Sequence, residues 1–511
     1  MDSEDEEKDE LKNSELIKKL LRWFDNRDNL LLFLVLLIAL AVRIYFFNLT
    51  LNQPVWWDEG EYGSMANAIA HNLDYNFLIV RPILFPFLMG LLFKLHYSEL
   101  LPRLMIFAFS IGSVYGIYLL GKEFYNKKVG LIASFLFSFS YLVLFYTFRL
   151  LVEVPSLFFF IYSGLFIVKY LKNSKSKHIY IAAALAGVGT MFKLPTASVL
   201  LATAIYLLIT EKVYFLKKKE LWVALLIYFI ALSPYIIWGF FEFHDFVITG
   251  AAGWNAPTGS RFENFFDNLF GTGGELMGSY FSMLKSIYSI PVLLFLLIGF
   301  LLMYPTFLKF DLILKNKKNP FYRDLFLILM FLTPIFLAAF AVNYADDRLI
   351  IDSIAPGFLI ASFGIFSIYS YLSKMNKNIS YVFLLITLLV CVYLVAITSN
   401  NIIIAKKTSF EDFKIMGEWL RDNTQENEII VGAGWPMIQF YSQRETIGPP
   451  QTKEEFLELK NKTPEMKYFV LSAYQKTPEW SYAYPIENNL TPINGYVAPG
   501  TNSALLVIYH L

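Results

Sequence analysis

Long apolar runs dominate the chain as far as Thr398 and alternate with short polar connections. Each run can form a helix of about 15–25 residues, and about 20 residues cross the hydrocarbon core of a bilayer. The pattern therefore predicts a mostly α-helical, polytopic membrane protein with about eleven crossings. The predicted crossings are Leu30–Phe47, Leu101–Leu120, Val129–Phe148, Val154–Tyr170, Ile179–Phe192, Leu194–Ile209, Leu221–Phe241, Ile287–Leu308, Leu325–Val342, Leu349–Leu372 and Ile379–Thr398.

The charges of the connections predict which side of the membrane each connection faces, because cytoplasmic loops are enriched in Lys and Arg. Basic clusters lie at Lys122–Lys128, Lys169–Lys177, Lys212–Lys219, Lys309–Arg323 and Lys374–Lys377. With about eleven crossings and a cytoplasmic N-terminus, all of these clusters face the cytoplasm. We therefore expect Ile83–Leu95, which is short and contains Pro86, to be re-entrant or to lie against the outer face. The alternative is an additional crossing that breaks the charge rule.

This topology divides the chain into three parts. Residues 1–29 form a polar cytoplasmic tail. Residues 30–399 form the membrane domain, with long external loops at 48–82 and 242–286. Residues 400–511 are extracytoplasmic and have the composition of a soluble domain. The protein is thus predicted to be integral to the plasma membrane or the endoplasmic reticulum membrane, with its active site and C-terminal domain outside the cytoplasm.

The C-terminal part has the periodicity of a small α/β domain. Phe410–Arg421 places Phe413, Met416 and Leu420 on one side, as in an amphipathic helix. Short strands are predicted at Ile429–Val431, Tyr468–Leu471 and Leu505–Ile508.

Composition excludes several classes of protein. Of the 511 residues, 56% are hydrophobic and 17% are charged, whereas charged residues make up about a quarter of an ordinary soluble domain. The 43 Lys and Arg residues nearly balance the 42 Asp and Glu residues, so that the net charge of +1 gives no basic surface for nucleic acid. A single cysteine, Cys391, excludes a disulfide framework and a cysteine-based zinc site.

The first external loop carries an unusual group of carboxylates. Asp58, Glu59 and Glu61 follow directly after Trp56 and Trp57. Tryptophans suit a membrane interface, but adjacent carboxylates there need another reason. Partial desolvation near the rings is expected to raise the pKa of Asp58 towards that of a general base. The alternative is an acidic outer loop with an aromatic anchor.

The short external turns each carry a cation, namely Arg149, Lys193 and Arg348. Glu153 accompanies the first of them, and the pair Asp346–Asp347 accompanies the last. A single cation near the interface could simply extend its head group into water. Several cations converging on one face beside a carboxylate-rich loop indicate a site for an anionic head group.

Short motifs in this order resemble the GT-C glycosyltransferases, in particular the branch of the protein O-mannosyltransferases and the aminoarabinose–lipid A transferases. The resemblance covers roughly Leu30–Leu372. The motifs are Trp57-Asp58-Glu59 with Tyr62 and Ala66, Arg81-Pro82-Ile83-Leu84 with Pro86, Gly121–Tyr125 through Gly130-Leu131, Arg149 with Glu153 and Pro155-Ser156-Leu157, Gly187–Lys193, and Arg348 with Ala355-Pro356.

The resemblance implies the GT-C fold and transfer of a hexose or pentose from a polyprenyl- or dolichyl-phosphate donor to an acceptor hydroxyl, with inversion. The acceptor could be a protein, a glycan or a lipid, and no nucleotide is required. By the same resemblance Asp58 and Glu59 are the catalytic residues. Asp58 is the base, and Glu59 could orient the base, bind sugar hydroxyls or hold a divalent cation. Arg81, Lys193, Arg348 and Arg149 are candidates for binding the donor phosphate. Candidates for binding sugar hydroxyls or a divalent cation are Glu61, Glu153 and His244.

Some positions depart from the pattern of these families. Val80 stands where the lipid A transferases have a glutamate, which argues against a metal site like theirs. Glu153 replaces the usual aspartate and lengthens the reach by one methylene group. Two other interpretations stay open, a transporter or flippase and a non-catalytic binder of polyprenyl-phosphate lipids. Transporters usually place their polar residues at mid-membrane, whereas the charges of this chain lie at one edge.

Overall fold

The computed structural model describes residues 18, 22–244, 261–270, 279–308, 320–341, 344–501 and 503–511. Most of the predicted tail 1–29 and much of the predicted loop 242–286 lie outside these residues. The helices of the membrane domain are α1 Arg27–Thr50, α2 Trp57–His71, α3 Leu84–Leu95, α4 Leu100–Phe124, α5 Lys127–Phe137, α6 Tyr141–Thr147, α7 Glu153–Asn173, α8 Ser176–Phe192, α9 Ser198–Glu211, α10 Lys219–Phe243, α11 Arg261–Phe270, α12 Tyr280–Leu308, α13 Pro320–Ala341, α14 Ile354–Met375 and α15 Lys377–Lys406. Short 3₁₀ segments precede α9 and α14 at Leu194–Ala197 and Asp347–Ser353, and another, Lys212–Lys217, follows α9.

Each predicted apolar run coincides with one or more of these helices. Within the described residues, nine helices are long and apolar enough to cross a membrane, or up to ten if α5 and α6, which are bent by 61°, form one span. The sequence predicted about eleven crossings. The difference is α8, whose 17 residues are at the lower limit of the roughly 17–25 residues that usually form a crossing. Lys193 at the end of α8 lies 3.2 Å from Glu153 at the start of α7, so α8 returns to the face from which α7 begins.

The segment between the first loop and α4 is short, as the sequence indicated. Helix α3 has 12 residues and contains Pro86 in its first turn. Its length of about 18 Å is little more than half of a hydrocarbon core. This length supports the expectation that Ile83–Leu95 does not cross.

A buried arginine fixes the connection between α1 and α2. The Arg103 guanidinium donates to the carbonyl oxygens of Thr50 at 2.9 Å and Gln53 at 2.8 Å, and it forms an ion pair with Glu99. The side chain is only 2% exposed. Because carbonyl groups at the end of a helix lack partners within it, Arg103 both satisfies them and sets where the first loop begins.

The C-terminal domain begins where α15 ends at Lys406 and contains one mixed sheet. Its elements are α16 Glu411–Asn423, β1 Ile429–Gly432, α17 Trp435–Ser442, β2 Thr446–Ile447, α18 Lys453–Lys462, β3 Met466–Ser472, α19 Trp480–Glu487, β4 Pro492–Val497 and β5 Ala504–His510. The strands have the order β2-β1-β3-β5-β4 in the sheet. Strand β1 is parallel to β2 and β3, and β5 is antiparallel to β3 and β4. The predicted helix and strands of this domain are confirmed.

Helix α17 of this domain packs directly against α2, the helix that carries the carboxylate motif. A Cβ atom on Gly60 would lie 2.6 Å from the Pro436 carbonyl oxygen, and one on Gly63 would lie 2.4 Å from the Phe440 ring. The Tyr441 hydroxyl accepts from the Val55 backbone N–H at 2.7 Å. The two glycines therefore let the C-terminal domain support the start of α2.

Candidate active site

The carboxylate motif forms the first turn of α2. Glu59 reaches back to the Trp56 backbone N–H at 2.8 Å and so caps the helix. Acidic side chains in the first turn also interact favourably with the partial positive charge of a helix N-terminus. This local preference explains why the sequence begins a helix at Trp57, and it fixes the directions in which Asp58 and Glu59 extend.

Asp58 lies between two arginines from distant parts of the chain. Its Oδ1 atom is 2.6 Å from Arg81 Nη2, and its Oδ2 atom accepts from Arg348 Nη1. Burial raises the pKa of Asp58, but the charges and hydrogen bonds of Arg81 and Arg348 outweigh burial and hold that pKa below its usual value. The sequence-based expectation of a raised pKa is therefore wrong for this arrangement, because two cations compensate for the desolvation.

Glu61 shares Arg81 with Asp58. Its Oε2 atom is 2.7 Å from Arg81 Nη2, and its Oε1 atom accepts from the indole N–H of Trp57 at 3.0 Å. Burial raises the pKa of Glu61, although the charge of Arg81 opposes this shift. The guanidinium carbon of Arg81 also lies 5.3 Å from the centre of the Tyr62 ring. Arg81 is thus held on three sides by residues of α2.

Lys193 and Glu153 complete the cluster from the other side. Lys193 Nζ is 3.2 Å from Glu153 Oε1 and donates to the Arg348 backbone carbonyl at 2.8 Å. The Arg348 Nε atom contacts Asp346 Oδ2 at 2.9 Å. The predicted cations Arg81, Lys193 and Arg348 therefore converge on one place with Asp58, Glu61 and Glu153.

Glu59 and Arg149 form a separate, sealed ion pair. Arg149 Nη1 is 3.2 Å from Glu59 Oε2, and the two side chains are 1% and 0% exposed. The other Glu59 oxygen accepts from the Leu150 backbone N–H at 2.6 Å, and the Arg149 guanidinium carbon lies 4.1 Å from the centre of the Trp56 ring. Burial raises the pKa of Glu59, against the opposing charge of Arg149. This pair joins α2 to the turn before α7 rather than facing the cluster around Asp58.

His244 lies apart from these groups in sequence and in its local surroundings. It is exposed and ends α10 in a left-handed conformation with φ 51°. Its backbone N–H donates to the Phe240 carbonyl at 3.1 Å. The predicted role of His244 stays a prediction, because the chain that follows it is outside the described residues.

Sequence reasoning missed Asp352, which is buried directly beside the cluster. Its carboxylate oxygens lie 3.3 and 3.4 Å from the Ser156 hydroxyl, and that hydroxyl is 2.6 Å from the Thr196 hydroxyl. Asp352 lies within the predicted crossing Leu349–Leu372. Ionisable residues within such runs commonly have a function or a specific partner, and this rule would also have singled out Arg103.

The carboxylates around Asp58 do not fit a divalent cation as they are arranged. Among the described residues, no group of three or more His, Cys, Asp or Glu side chains is placed to hold a metal ion. The space that a cation would need between Asp58 and Glu61 is taken by the Arg81 guanidinium, which contacts both carboxylates. The negative charges of Asp58 and Glu61 are therefore balanced by the Arg81 guanidinium.

The chain thus combines a helical membrane domain, a carboxylate-bearing helix after the first span and a small C-terminal sheet domain. A family model described as dolichyl-phosphate-mannose-protein mannosyltransferase matches residues 80–238. No curated protein matches the chain.

Solved structures with this fold match most of the chain at low identity. ArnT from Cupriavidus metallidurans bound to undecaprenyl phosphate has a TM-score of 0.61 and 12% identity, with 93% of this chain and 97% of that chain covered. The oligosaccharyltransferase AglB from Archaeoglobus fulgidus, in complex with an inhibitory peptide and a dolichol-phosphate, has a TM-score of 0.61 and 14% identity, with coverage of 88% and 70%. Another AglB structure contains Zn and sulfate.

The mycobacterial arabinofuranosyltransferase AftD is similar with a TM-score of 0.53 and 14% identity, covering 93% of this chain and 41% of that larger chain. The chain therefore has the GT-C fold and is similar to the mannosyltransferase and ArnT branch, which confirms the resemblance found in its motifs. It is an integral membrane protein by its apolar helices and by its fold.

Proposed function

We propose that this protein is a glycosyltransferase that moves a sugar from a polyprenyl- or dolichyl-phosphate donor to an acceptor hydroxyl on the extracytoplasmic face. The observation that carries the proposal is the Asp58 carboxylate held between Arg81 and Arg348 at the start of α2. The relatives support it, since ArnT is described with undecaprenyl phosphate and AglB with a dolichol-phosphate. The charge distribution of the connecting loops supports the choice of face.

The cluster has the chemistry to bind a donor phosphate. Arg81, Lys193 and Arg348 are each paired with carboxylates but remain 20%, 12% and 28% exposed. A phosphate can replace the carboxylates as the acceptor of these cations, because arginine forms short, charge-assisted and frequently bidentate hydrogen bonds with phosphate as well as with carboxylate. In the proposed complex, Arg81 and Arg348 turn towards the phosphate and leave Asp58 free to act.

The proposed reaction is a single displacement at the anomeric carbon. Asp58 accepts the proton of the acceptor hydroxyl while the acceptor oxygen forms a bond to that carbon. The bond between the carbon and the phosphate oxygen breaks, and the phosphate leaves with the electron pair. Arg81, Arg348 and Lys193 stabilise the charge that develops on the leaving phosphate, and such prearranged charges are commonly the largest catalytic contribution. Attack from the face opposite the leaving group inverts the configuration.

In this proposal Glu59 and Arg149 are positioning residues for the first turn of α2. Their side chains are too buried to touch a lipid or an acceptor, but they hold the first turn of α2 against the turn at Leu150. The C-terminal domain supports the same helix from outside through α17. We propose that this domain also contributes to acceptor binding, since Trp435 of α17 lies 6.1 Å from the Trp57 ring.

The test is a transfer assay with the purified full chain in detergent, radiolabelled dolichyl- or undecaprenyl-phosphate hexoses and pentoses as donors, and native membranes as acceptor. We expect sugar transfer by the wild type and a loss of about 10²–10⁴-fold in Asp58→Asn, because general acid–base catalysis typically contributes this much. The matched control is Asp74→Asn, which removes an exposed carboxylate of the same loop.

The outcomes separate the competing functions. Equal activity in wild type and Asp58→Asn would remove Asp58 as the base. Tight binding of the lipid phosphate without transfer from any donor would contradict the enzyme and favour a transporter or a non-catalytic binder. Transfer that requires a nucleotide sugar would overturn the proposed donor class.

A further inference from the structure

A second amphipathic site lies at the opposite end of the membrane domain from Asp58. A groove of about 450 Å³ opens between the N-terminal halves of α1 and α15, helix α5 and the C-terminal part of α14. Helix α1 runs from Arg27 at this groove to Thr50 beside the first loop. That length of about 35 Å places the groove and Asp58 at opposite surfaces of a bilayer.

The mouth of the groove is polar and cationic. Arg27, Lys128, Tyr369 and Tyr381 line it. The Lys128 ammonium lies 5.8 Å from the centre of the Tyr369 ring, and the Tyr369 and Tyr381 rings are 6.0 Å apart. The carboxylate at the mouth, Asp28, is already paired with Lys127 at 3.3 Å.

This pairing leaves positive charge at the mouth. In the part of the chain that the structure describes, neither Arg27 nor Lys128 forms an ion pair with a carboxylate. Two cations beside tyrosine rings at the edge of an apolar surface match the phosphate of an anionic lipid, because basic residues near a membrane surface attract anionic lipids.

The inner part of the groove is lined by apolar side chains. Its walls are formed by Val35 and Ile38 of α1, Leu131 and Phe135 of α5, and Leu384 and Leu388 of α15. From Arg27 to Ile38 the helix rises about 16 Å, which is half of a hydrocarbon core of about 30 Å. The groove therefore matches one lipid of one leaflet, with a charged head at the interface and tails that end near the midplane.

We propose that this groove binds an anionic membrane phospholipid of the leaflet opposite the active site, with its phosphate held by Arg27 and Lys128. The length of the groove argues for this occupant over a polyprenyl phosphate, whose chain is much longer than one leaflet. The proposal does not depend on the proposed transfer reaction, because it concerns different residues at the other membrane surface.

The test is native mass spectrometry of the full chain in detergent, equilibrated with equal amounts of phosphatidylglycerol and phosphatidylcholine. We expect the wild type to retain phosphatidylglycerol preferentially. The preference should fall about 5-fold in Lys128→Ala and about 25-fold in Arg27→Ala/Lys128→Ala, since each cation contributes about 1 kcal/mol. The matched control is Lys122→Ala/Lys175→Ala, which removes two exposed lysines outside the groove.

A second variant tests the tail region without changing charge. Leu388→Trp fills the apolar half of the groove, and we expect it to lower retention of both phospholipids while the unfolding temperature stays unchanged. Equal retention of phosphatidylglycerol and phosphatidylcholine by the wild type would overturn the proposal. Displacement of phosphatidylglycerol by undecaprenyl phosphate at an equimolar ratio would also overturn it, because the groove would then serve the donor lipid. An equal loss of preference in the control pair would attribute the effect to general surface charge.

Discussion

Asp58 and Glu59 are neighbours in the chain, but their ion pairs are built in opposite ways. Glu59 and Arg149 are sealed, with 0% and 1% of their side chains exposed. Asp58 is 19% exposed between Arg81 and Arg348, which are 20% and 28% exposed. Adjacent residues of a helix point about 100° apart, so one turn of α2 can serve two environments.

The difference in exposure indicates which ion pair is structural and which belongs to the candidate active site. Breaking a sealed ion pair leaves an uncompensated charge in a low-dielectric interior, which is strongly unfavourable. In a partly exposed pair, an anionic ligand can replace the carboxylate as the partner of the cation without leaving an uncompensated charge in the interior. The comparison therefore favours the proposal that Asp58, whose arginine partners are partly exposed, is the reacting carboxylate, and that the more buried Glu59 is structural.

The largest expected effect comes from Arg149→Ala. The substitution leaves Glu59 buried without its cation, and we expect a loss of about 3–5 kcal/mol in the free energy of unfolding. The measurement is the thermal unfolding midpoint in detergent, followed by tryptophan fluorescence. The double variant Glu59→Gln/Arg149→Met should lose less, since it removes both charges.

The control for this prediction is Arg421→Ala, which breaks an exposed pair with Asp422 and should change stability by at most about 1 kcal/mol. A stable Arg149→Ala protein with weakened binding of the lipid phosphate would contradict the scaffold role. It would instead support the sequence-based expectation that Arg149 binds the donor.

The next effect in size is on donor binding. Arg348→Gln removes one of the cations around Asp58, and we expect the affinity for undecaprenyl phosphate to fall about 10- to 100-fold, since a hydrogen bond to a charged group contributes about 1.5–3 kcal/mol. The unfolding midpoint should change little, because Arg348 is partly exposed. Unchanged affinity in Arg348→Gln, compared with Arg421→Gln as control, would remove Arg348 from the phosphate site.

The sequence predicted which residues would meet but not how they would pair. Arg348 and Asp58 are 290 positions apart, yet the parity of the apolar runs placed both on one face together with Lys193. The division between Asp58 and Glu59 could not be predicted in this way. It depends on the rotation of α2, which is set by Gly60 and Gly63 packing against α17, a contact between domains that no local pattern encodes.

That contact gives a third prediction. Gly63→Ala places a methyl group 2.4 Å from the Phe440 ring, and we expect it to cost about 1–3 kcal/mol, as overpacking commonly does. Because it displaces α2, transfer activity should fall together with the unfolding midpoint. Phe440→Leu in the same chain should restore part of both. A Gly63→Ala protein with wild-type stability and activity would mean that α17 does not set the position of α2.

The smallest effect is on pH dependence, and it tests the Asp58 cluster most directly. Burial raises the pKa of Asp58, but Arg81 and Arg348 hold that pKa below its usual value. The proposed base is therefore ionised wherever an ordinary aspartate is. We therefore expect kcat/KM to lose activity on acidification only below about pH 3.9, the ordinary pKa of aspartate. Removing one cation leaves the effect of burial in place, and the acid limb of Arg81→Gln must then move to higher pH.

The same reasoning gives a different expectation for the pKa of Asp58 when the donor is bound. If Arg81 and Arg348 turn from Asp58 to the phosphate, the pKa of Asp58 rises in the complex, and the acid limb of kcat should lie at higher pH than that of kcat/KM. Profiles of wild type and Arg81→Gln, with tryptophan fluorescence recorded at each pH to detect unfolding, measure both limbs. Identical acid limbs for kcat and kcat/KM in the wild type would mean that the arginines stay on Asp58 during the reaction. The carboxylate could then not be the base, and the role would pass to another carboxylate of the cluster, Glu153 or Glu61.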